Sequence, residues 1–298
     1  MIKIFLSLIL ATTILFAGCS NDSGQNAGAE EVAPEEVVEK KVEKEIPQSD
    51  KFVTAAKDFS NLQLTEFNKP VYDAYGLWER QKENLPMVLP DLKPYDEVPL
   101  VYLTFDDGPD DKITPKILDI LKEEQVPATF YVLGYMVQKN PDVLKRIFNE
   151  GHAIGNHSYN HDYNDLYSAP WNFIVQMYTT DDILLKLIGV RPLIIRAPGG
   201  SAGMFTENYW PMVKAMGYAE HGWNVSTEDA TRERPNASTQ VNHVLNQLGK
   251  NPPRSVIVLM HSTGGKDETA KALPEIIHLF KDWGYKFGVV TPMTPLPW

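Results

Sequence analysis

Four short clusters of polar residues carry the side chains that acid–base or metal chemistry needs. They are Thr104-Phe105-Asp106-Asp107-Gly108-Pro109, His157-Ser158-Tyr159-Asn160-His161, Arg196-Ala197-Pro198 and Leu259-Met260-His261. Each cluster lies at the end of an apolar run or just beyond one, which predicts that each follows a buried strand. Two carboxylates, three histidines and an arginine at strand ends are more than core packing requires.

The closely spaced histidines indicate a metal site. His157 and His161 supply two imidazoles, and one carboxylate from Asp106 or Asp107 completes a set of three ligands. Three protein ligands and a water form the usual catalytic zinc site. Neighbouring carboxylates at a strand end point in different directions, so the second carboxylate is available as a general base.

Two further side chains complete a hydrolytic apparatus for an acyl group. His261 can protonate a leaving group, and Arg196 can hold the base carboxylate ionised and oriented. Each motif alone is weak evidence of function, because closely spaced histidines also occur by chance and adjacent aspartates also occur in solvated turns. Their joint placement at the strand ends favours function.

Hydrophobic patterning predicts the elements that position these residues. From Val98 onward, short apolar runs alternate with amphipathic helical segments, which favours an α/β fold with a parallel sheet. About seven such units fit a distorted (β/α) barrel, in which the C-terminal strand ends meet at one face. An open doubly wound sheet is the alternative. The predicted strands are Leu100–Phe105, Ala128–Leu133, His152–Ile154, Leu193–Arg196, Tyr218–Asn224, Ser255–His261 and Lys286–Val290.

In this order, the four clusters resemble the motifs of the polysaccharide deacetylases, which form carbohydrate esterase family four with the NodB-homology domain. The resemblance covers roughly residues 98–298. It implies a (β/α) barrel that removes acetyl groups from sugars with a metal ion, usually from N-acetylglucosamine in peptidoglycan or chitin. Zinc is the expected ion, and a site of this composition also accepts cobalt or manganese.

The resemblance also implies a role for individual residues. By position they are the catalytic base Asp106, the arginine Arg196 that braces it, the metal ligands Asp107, His157 and His161, the catalytic acid His261, the acetyl-pocket residue Leu259, and the oxyanion-binding backbone near Gly199.

Two stretches depart from the family motifs. Gly199-Gly200 stand where the family often has an aromatic residue after Arg-x-Pro. In the fourth motif, usually Asp-x-x-Asp-Trp, the chain has Ser226-Thr227-Glu228-Asp229-Ala230. Serine therefore stands where we expect the carboxylate that tunes His261. Because serine orients an imidazole without stabilising its cation, we expect a more weakly tuned acid.

The first 50 residues predict export and anchoring. Residues 1–18 have the layout of a secretory signal peptide, and Cys19 follows them as in a bacterial lipobox. The alternative is an ordinary signal peptide followed by a chance cysteine. Residues 19–50 form an acidic tether without aromatic residues. We expect an extracytoplasmic protein that is held by a lipid anchor at Cys19 on the outer face of a bacterial cell membrane.

Residues 51–97 regain aromatic side chains. Val71, Tyr72, Tyr75 and Trp78 fall at helical spacing and predict a small helical segment before the barrel. We expect this segment to pack on the catalytic domain, and a separate binding module is the alternative.

The composition limits the partners. The chain has 28 Lys and Arg against 39 Asp and Glu, a formal charge of −11, which argues against a broad surface for nucleic acid. The single cysteine excludes an intramolecular disulfide. We expect a monomer that deacetylates an acetylated cell-wall polysaccharide. The alternatives are a sugar O-acetyl esterase with the same site and a non-catalytic wall-binding lipoprotein.

Overall fold

The structure is a computed structural model that describes residues 44–296. The predicted signal peptide, Cys19 and the tether as far as residue 43 lie outside the described residues. From Glu45 the described chain forms one compact unit. Within this range, every helix is too short or too polar to cross a membrane.

The described residues form two sheets and the helices that cover them. The strands are β1 (Val53–Thr54), β2 (Val71–Asp73), β3 (Leu100–Asp106), β4 (Thr129–Val132), β5 (Ala153–Asn156), β6 (Arg191–Pro192), β7 (Ile194–Ile195), β8 (Ala219–Glu220), β9 (Val225–Ser226), β10 (Ser255–His261) and β11 (Lys286–Gly288). The α-helices are α1 (Leu77–Lys82), α2 (Ile113–Glu124), α3 (Gly134–Lys139), α4 (Pro141–Asn149), α5 (Tyr163–Leu166), α6 (Pro170–Ile188), α7 (Ser201–Met204), α8 (Tyr209–Ala215), α9 (Ala237–Leu248) and α10 (Asp267–Asp282).

The principal sheet is parallel and forms an incomplete barrel. Its order is β8-β7-β5-β4-β3-β10-β9, and β11 pairs with the first half of β3. This confirms the predicted distorted (β/α) barrel with about seven parallel strands. β3 and β10 pair in register over their whole length, so Asp106 and His261 are neighbours at the C-terminal end.

The core explains why apolar runs mark these strands. All seven residues of β3 are buried, because helices cover the outer face of the sheet and side chains fill the barrel. On the outer side, Leu103 and Phe105 belong to one apolar cluster with residues of α2 and α10. On the inner side, Tyr102 clusters with Tyr131 and Ile257. The central strands are therefore fixed on both faces, which makes their ends rigid supports.

The predicted strand over residues 218–224 is wrong. It divides into β8 and β9, which lie at opposite ends of the sheet order, and residues 221–224 connect them. The carbonyl groups of His221 and Gly222 accept hydrogen bonds from Arg196 Nε (3.0 Å) and Nη2 (2.8 Å). The Arg196 guanidinium group thus binds two carbonyl groups of the segment that connects β8 to β9.

The predicted helix through Val71 and Trp78 is wrong in its first half. β2 is a strand that pairs with β6 and β1, and α1 begins after it. Tyr72 is buried, and its hydroxyl accepts the N–H of Ile154 (3.0 Å) and donates to the carbonyl of His152 (3.2 Å). Trp78 is exposed. The helical spacing combined residues from two different elements.

A buried carboxylate joins this N-terminal segment to the rest of the fold. Asp73, at the end of β2, accepts Arg80 Nε at 2.6 Å and Arg191 Nη2 at 2.9 Å. All three side chains are fully buried. Asp181 of α6 lies 3.5 Å from Arg191 Nη1, so two carboxylates balance two guanidinium groups. Such a network is stable only when it is complete.

Substitution Asp73→Asn should strongly destabilise the fold. It leaves two buried guanidinium groups with one carboxylate, which costs about 3–5 kcal/mol in the free energy of unfolding. Urea unfolding followed by tryptophan fluorescence measures this loss. Asp182→Asn is the control, because the Asp182–Lys186 pair is exposed and screened by water, so its loss should change the free energy of unfolding little. Equal losses in the two variants would contradict the prediction.

Candidate active site

The structure brings the four polar clusters to the C-terminal ends of neighbouring strands. Asp106 ends β3 and His261 ends β10, while His157 follows β5 and Arg196 follows β7. Because the strands are parallel, these positions share one edge of the barrel. The sequence-predicted catalytic and metal-binding residues therefore form a single site, together with Asp107 directly after β3.

The buried side chain of Arg196 fixes one of the two adjacent carboxylates. Its Nη1 donates to Asp106 Oδ1 (2.8 Å) and to Thr104 Oγ1 (2.7 Å), and the guanidinium lies 4.2 Å from the centre of the Tyr131 ring. Burial raises the pKa of Asp106, and the charge of Arg196 opposes this rise. The second oxygen, Oδ2, lies 3.7 Å from His157 Nε2. Asp106 thus has one oxygen restrained and one oxygen available in the site.

The second carboxylate is directed at the two histidines. Asp107 Oδ1 lies 3.7 Å from Nε2 of His157 and 3.7 Å from Nε2 of His161. This oxygen is buried and has no hydrogen-bond partner among the described residues. Ligands about 2.1 Å from a tetrahedral ion are roughly 3.4 Å apart. One carboxylate and two imidazoles at this spacing fit a divalent cation, so the structure contains a possible metal site.

Local backbone geometry positions these ligands. Asp107, Ser158 and His161 adopt left-handed conformations with φ of 70°, 82° and 60°, which side chains other than glycine rarely take. His157 Nδ1 donates to the carbonyl of Arg196 (2.8 Å), which turns Nε2 toward the carboxylates. Burial lowers the pKa of His157 to about 3, so the ring stays in the neutral form that binds metals.

His261 is held by Asp229 and not by Ser226. His261 Nδ1 lies 2.7 Å from Asp229 Oδ1, and Asp229 Oδ2 accepts the backbone N–H of His261 (2.9 Å) and the hydroxyl of Thr269 (2.8 Å). Burial lowers the pKa of His261, but the hydrogen bond and charge of Asp229 outweigh it and raise that pKa. The predicted weak tuning was wrong, because Asp229 supplies the carboxylate that was expected at position 226. The Ser226 hydroxyl instead accepts the N–H of Glu228 (2.9 Å).

Comparisons with known proteins agree with this geometry. A family model described as polysaccharide deacetylase matches residues 93–221. A peptidoglycan-N-acetylglucosamine deacetylase of Bacillus cereus is 40% identical over 195 residues, which are 65% of this chain and 67% of that protein. The chain belongs to the polysaccharide deacetylase family. The resemblance predicted from the motifs is therefore confirmed.

Two further similarities show the range of this polysaccharide deacetylase family. The peptidoglycan-N-acetylmuramic acid deacetylase PdaC of Bacillus subtilis is 35% identical over 194 residues, which are 65% of this chain and 38% of that protein. The solved structure of a Streptococcus mutans CE4 esterase matches with a TM-score of 0.63 and 29% identity, over 76% of this chain and 97% of that one.

The two predicted substrate-binding positions also lie near the strand ends. Leu259 is two residues before His261, so both side chains project from the same face of β10. Gly199 follows Arg196 by three residues and has a φ of 76°. Their roles at the acetyl group stay predictions.

Sequence reasoning missed the contacts of two side chains at this site, Asp229 and Thr104. Asp229 was in the quoted fourth motif, but the tuning role was given to its first position and not to its fourth. Thr104 was quoted as a motif residue, and its hydrogen bond to Arg196 was not expected. Tyr163, two residues after His161, packs edge-on against that ring at 5.1 Å between centroids.

Substitution Asp229→Asn should lower the pKa of His261. Asparagine keeps a hydrogen-bond acceptor but loses the charge that stabilises the imidazolium, so His261 should lose its proton at a lower pH than in the wild-type protein. NMR titration of the His261 ring protons measures the shift. Ser226→Ala is the control and should leave the titration unchanged. A shift in the Ser226 variant alone would contradict this assignment.

Proposed function

We propose that this protein is a metal-dependent deacetylase that hydrolyses the N-acetyl groups of N-acetylglucosamine residues in cell-wall peptidoglycan. The observation that carries the proposal is the different environment of two adjacent carboxylates. Asp106 is bound to Arg196, whereas Asp107 Oδ1 is aimed at two histidines and has no hydrogen-bond partner among the described residues. The relative from Bacillus cereus supports the choice of substrate.

The metal-binding residues in this proposal are Asp107, His157 and His161. The donor set suits zinc, with cobalt or manganese as the alternatives. When bound, such a cation supplies Lewis-acid activation of water and of the acetyl carbonyl group. The chain contributes two rigid imidazoles and one carboxylate whose free oxygen is already directed toward them.

The remaining residues move protons and position the acetyl group. Asp106 accepts the proton of the attacking water at Oδ2, because Arg196 occupies Oδ1. His261 gives its proton to the departing sugar amine, and Asp229 stabilises the charged form that makes this possible. The Gly199 backbone N–H donates to the oxyanion, and Leu259 contacts the acetyl methyl group. The products are acetate and a glucosamine residue.

We propose that this activity lies outside the cell. A signal peptide over residues 1–18 and lipidation of Cys19 would leave the catalytic domain on an acidic tether beside the peptidoglycan. Nine acids and three bases in residues 20–50 give this segment a net negative charge, and its last residues, from Glu45 on, belong to the same compact unit as the catalytic domain.

A sugar O-acetyl esterase is the second candidate, and the similarity to the Streptococcus mutans esterase favours keeping it. Base, acid and metal ligands act on the same acyl carbonyl group in both reactions. The two functions differ in the leaving group, which is an amine in one and an alcohol in the other. Acetate release from matched N-acetyl and O-acetyl substrates therefore separates them.

Substitution Asp106→Asn should abolish most of the acetate release from N-acetylglucosamine oligomers while zinc binding is retained. Loss of a general base costs about 10²- to 10⁴-fold in rate. Asp267→Asn is the control, because this carboxylate is exposed and pairs with the surface lysine Lys116. Acetate assays together with the zinc content of each purified variant measure both properties.

Removal of the metal should also abolish acetate release, because the reaction then lacks the cation and not the base. Asp107→Asn should lose bound zinc as well as activity, because it removes a charged ligand. Chelation should abolish release, and added zinc should restore it to the wild-type protein. Unchanged release after chelation or in Asp106→Asn would contradict the proposal. Release from O-acetyl substrates alone would favour the esterase, and release from neither would favour a non-catalytic wall-binding protein.

A further inference from the structure

Tyr163 is an exposed aromatic residue directly beside the proposed metal ligands. It begins α5, and its ring packs edge-on against His161 with 5.1 Å between centroids. The side chain is nevertheless 41% exposed. Its hydroxyl makes no hydrogen bond to any residue that the structure describes.

The two glycines after Pro198 make room for two aromatic rings, and Gly199 makes room for that of Tyr163. A Cβ atom at Gly199 would lie 2.9 Å from the Tyr163 hydroxyl and 3.0 Å from its ring atom Cε1. A Cβ atom at Gly200 would lie 3.0 Å from the ring of Trp223. Both glycines have positive φ, 76° and 83°, so a side chain there would be strained as well as crowded. Each glycine therefore lets a different aromatic side chain approach the backbone.

The segment that carries Tyr163 is tied to the body of the site at two points. Asp165 Oδ2 accepts the side-chain N–H of Gln176 from α6 at 2.6 Å. Tyr167 donates its hydroxyl to the carbonyl of Pro198 at 2.6 Å. This second bond connects α5 to the residue before Gly199. The position of the Tyr163 ring is thus set before any ligand binds.

We propose that Tyr163 is a substrate-binding residue whose exposed ring contacts the pyranose ring that carries the reacting acetyl group. This inference rests on the proposed function. A pyranose has an apolar C–H face, and a rigid flat ring contacts such a face with little loss of side-chain entropy. Because Gly199 presents no side chain, Tyr163 supplies the wall of the substrate groove on this side of the metal ligands.

Binding measurements in the Asp106→Asn background test this role without turnover of the substrate. Calorimetry gives the dissociation constant of a chitin-derived oligomer of N-acetylglucosamine for the zinc-loaded protein. Adding Tyr163→Ala should raise this constant about tenfold, the size of one favourable aromatic contact. Adding Tyr163→Phe keeps the ring and should restore most of the affinity. Zinc content should be equal in all variants, since Tyr163 is not a ligand.

A matched aromatic control is available on the other side of the fold. Trp283 is 40% exposed and directly follows α10, before β11, so it lies at the face opposite the strand C-termini. Trp283→Ala should leave the dissociation constant unchanged. With Asp106 restored, Tyr163→Ala should raise KM for the oligomer more than it lowers kcat. It should also lower selectivity for the oligomer over 4-nitrophenyl acetate, which has no sugar.

Unchanged oligomer binding in Tyr163→Ala would overturn the inference, whether or not the wild-type protein releases acetate. The same holds if the Asp106→Asn protein with Tyr163 intact does not bind the oligomer. Zinc loss in Tyr163→Ala and Tyr163→Phe, with no change in oligomer affinity after zinc is restored, would show only a packing role beside His161. Oligomer binding without acetate release by the wild-type protein would refute the proposed function alone.

Discussion

The buried guanidinium group of Arg196 is the interaction on which the rest of the site depends. A cation with no exposure to water needs partners for its N–H groups, since an unpaired buried charge is strongly destabilising. Arg196 finds them on β3, at Asp106, and on the chain between β8 and β9, at the carbonyls of His221 and Gly222. Its own carbonyl accepts His157 Nδ1. One residue therefore connects three strand ends and a proposed metal ligand.

This constraint gives different chemistry to two adjacent aspartates. Asp106 ends a strand that is buried on both faces, and Arg196 restrains one of its oxygens. Asp107 follows in a left-handed conformation, which turns its side chain toward the two histidines. The barrel thus separates the proposed general base from the proposed metal ligand by a change in backbone direction over one residue. The Asp229–His261 pair adds the proposed acid at the next strand.

The sequence was sufficient for the parts of the fold that are determined by burial along one segment. β3 and β10 are continuous apolar runs, so β10 was predicted with its exact bounds and β3 to within one residue, which puts Asp106 and His261 at the strand ends. It was insufficient where distant segments decide the structure. β2 is a strand that pairs with β6, and Arg196 binds the carbonyls of His221 and Gly222 in the connection between β8 and β9. The hydrophobic periodicity of a local segment indicates neither of these long-range contacts.

The partner of His261 was also decided by the fold and not by the local sequence. The motif indicated a partner for His261, but only the fold shows that the fourth motif position reaches its ring and the first does not. Asp229 lies in the loop after β9, and it binds both the ring and the backbone of His261. Position in a motif does not define which side chain makes a contact when the motif spans the end of a strand.

A crystal structure of the protein grown with zinc, with anomalous data at the zinc edge, tests the central claim most directly. We predict one ion at about 2.0–2.2 Å from the ligand atoms of Asp107, His157 and His161. Asp106 should remain bound to Arg196 and outside the set of ligands. An ion coordinated by Asp106, or no ion among these three residues, would contradict the separation of base and ligand on which this account depends.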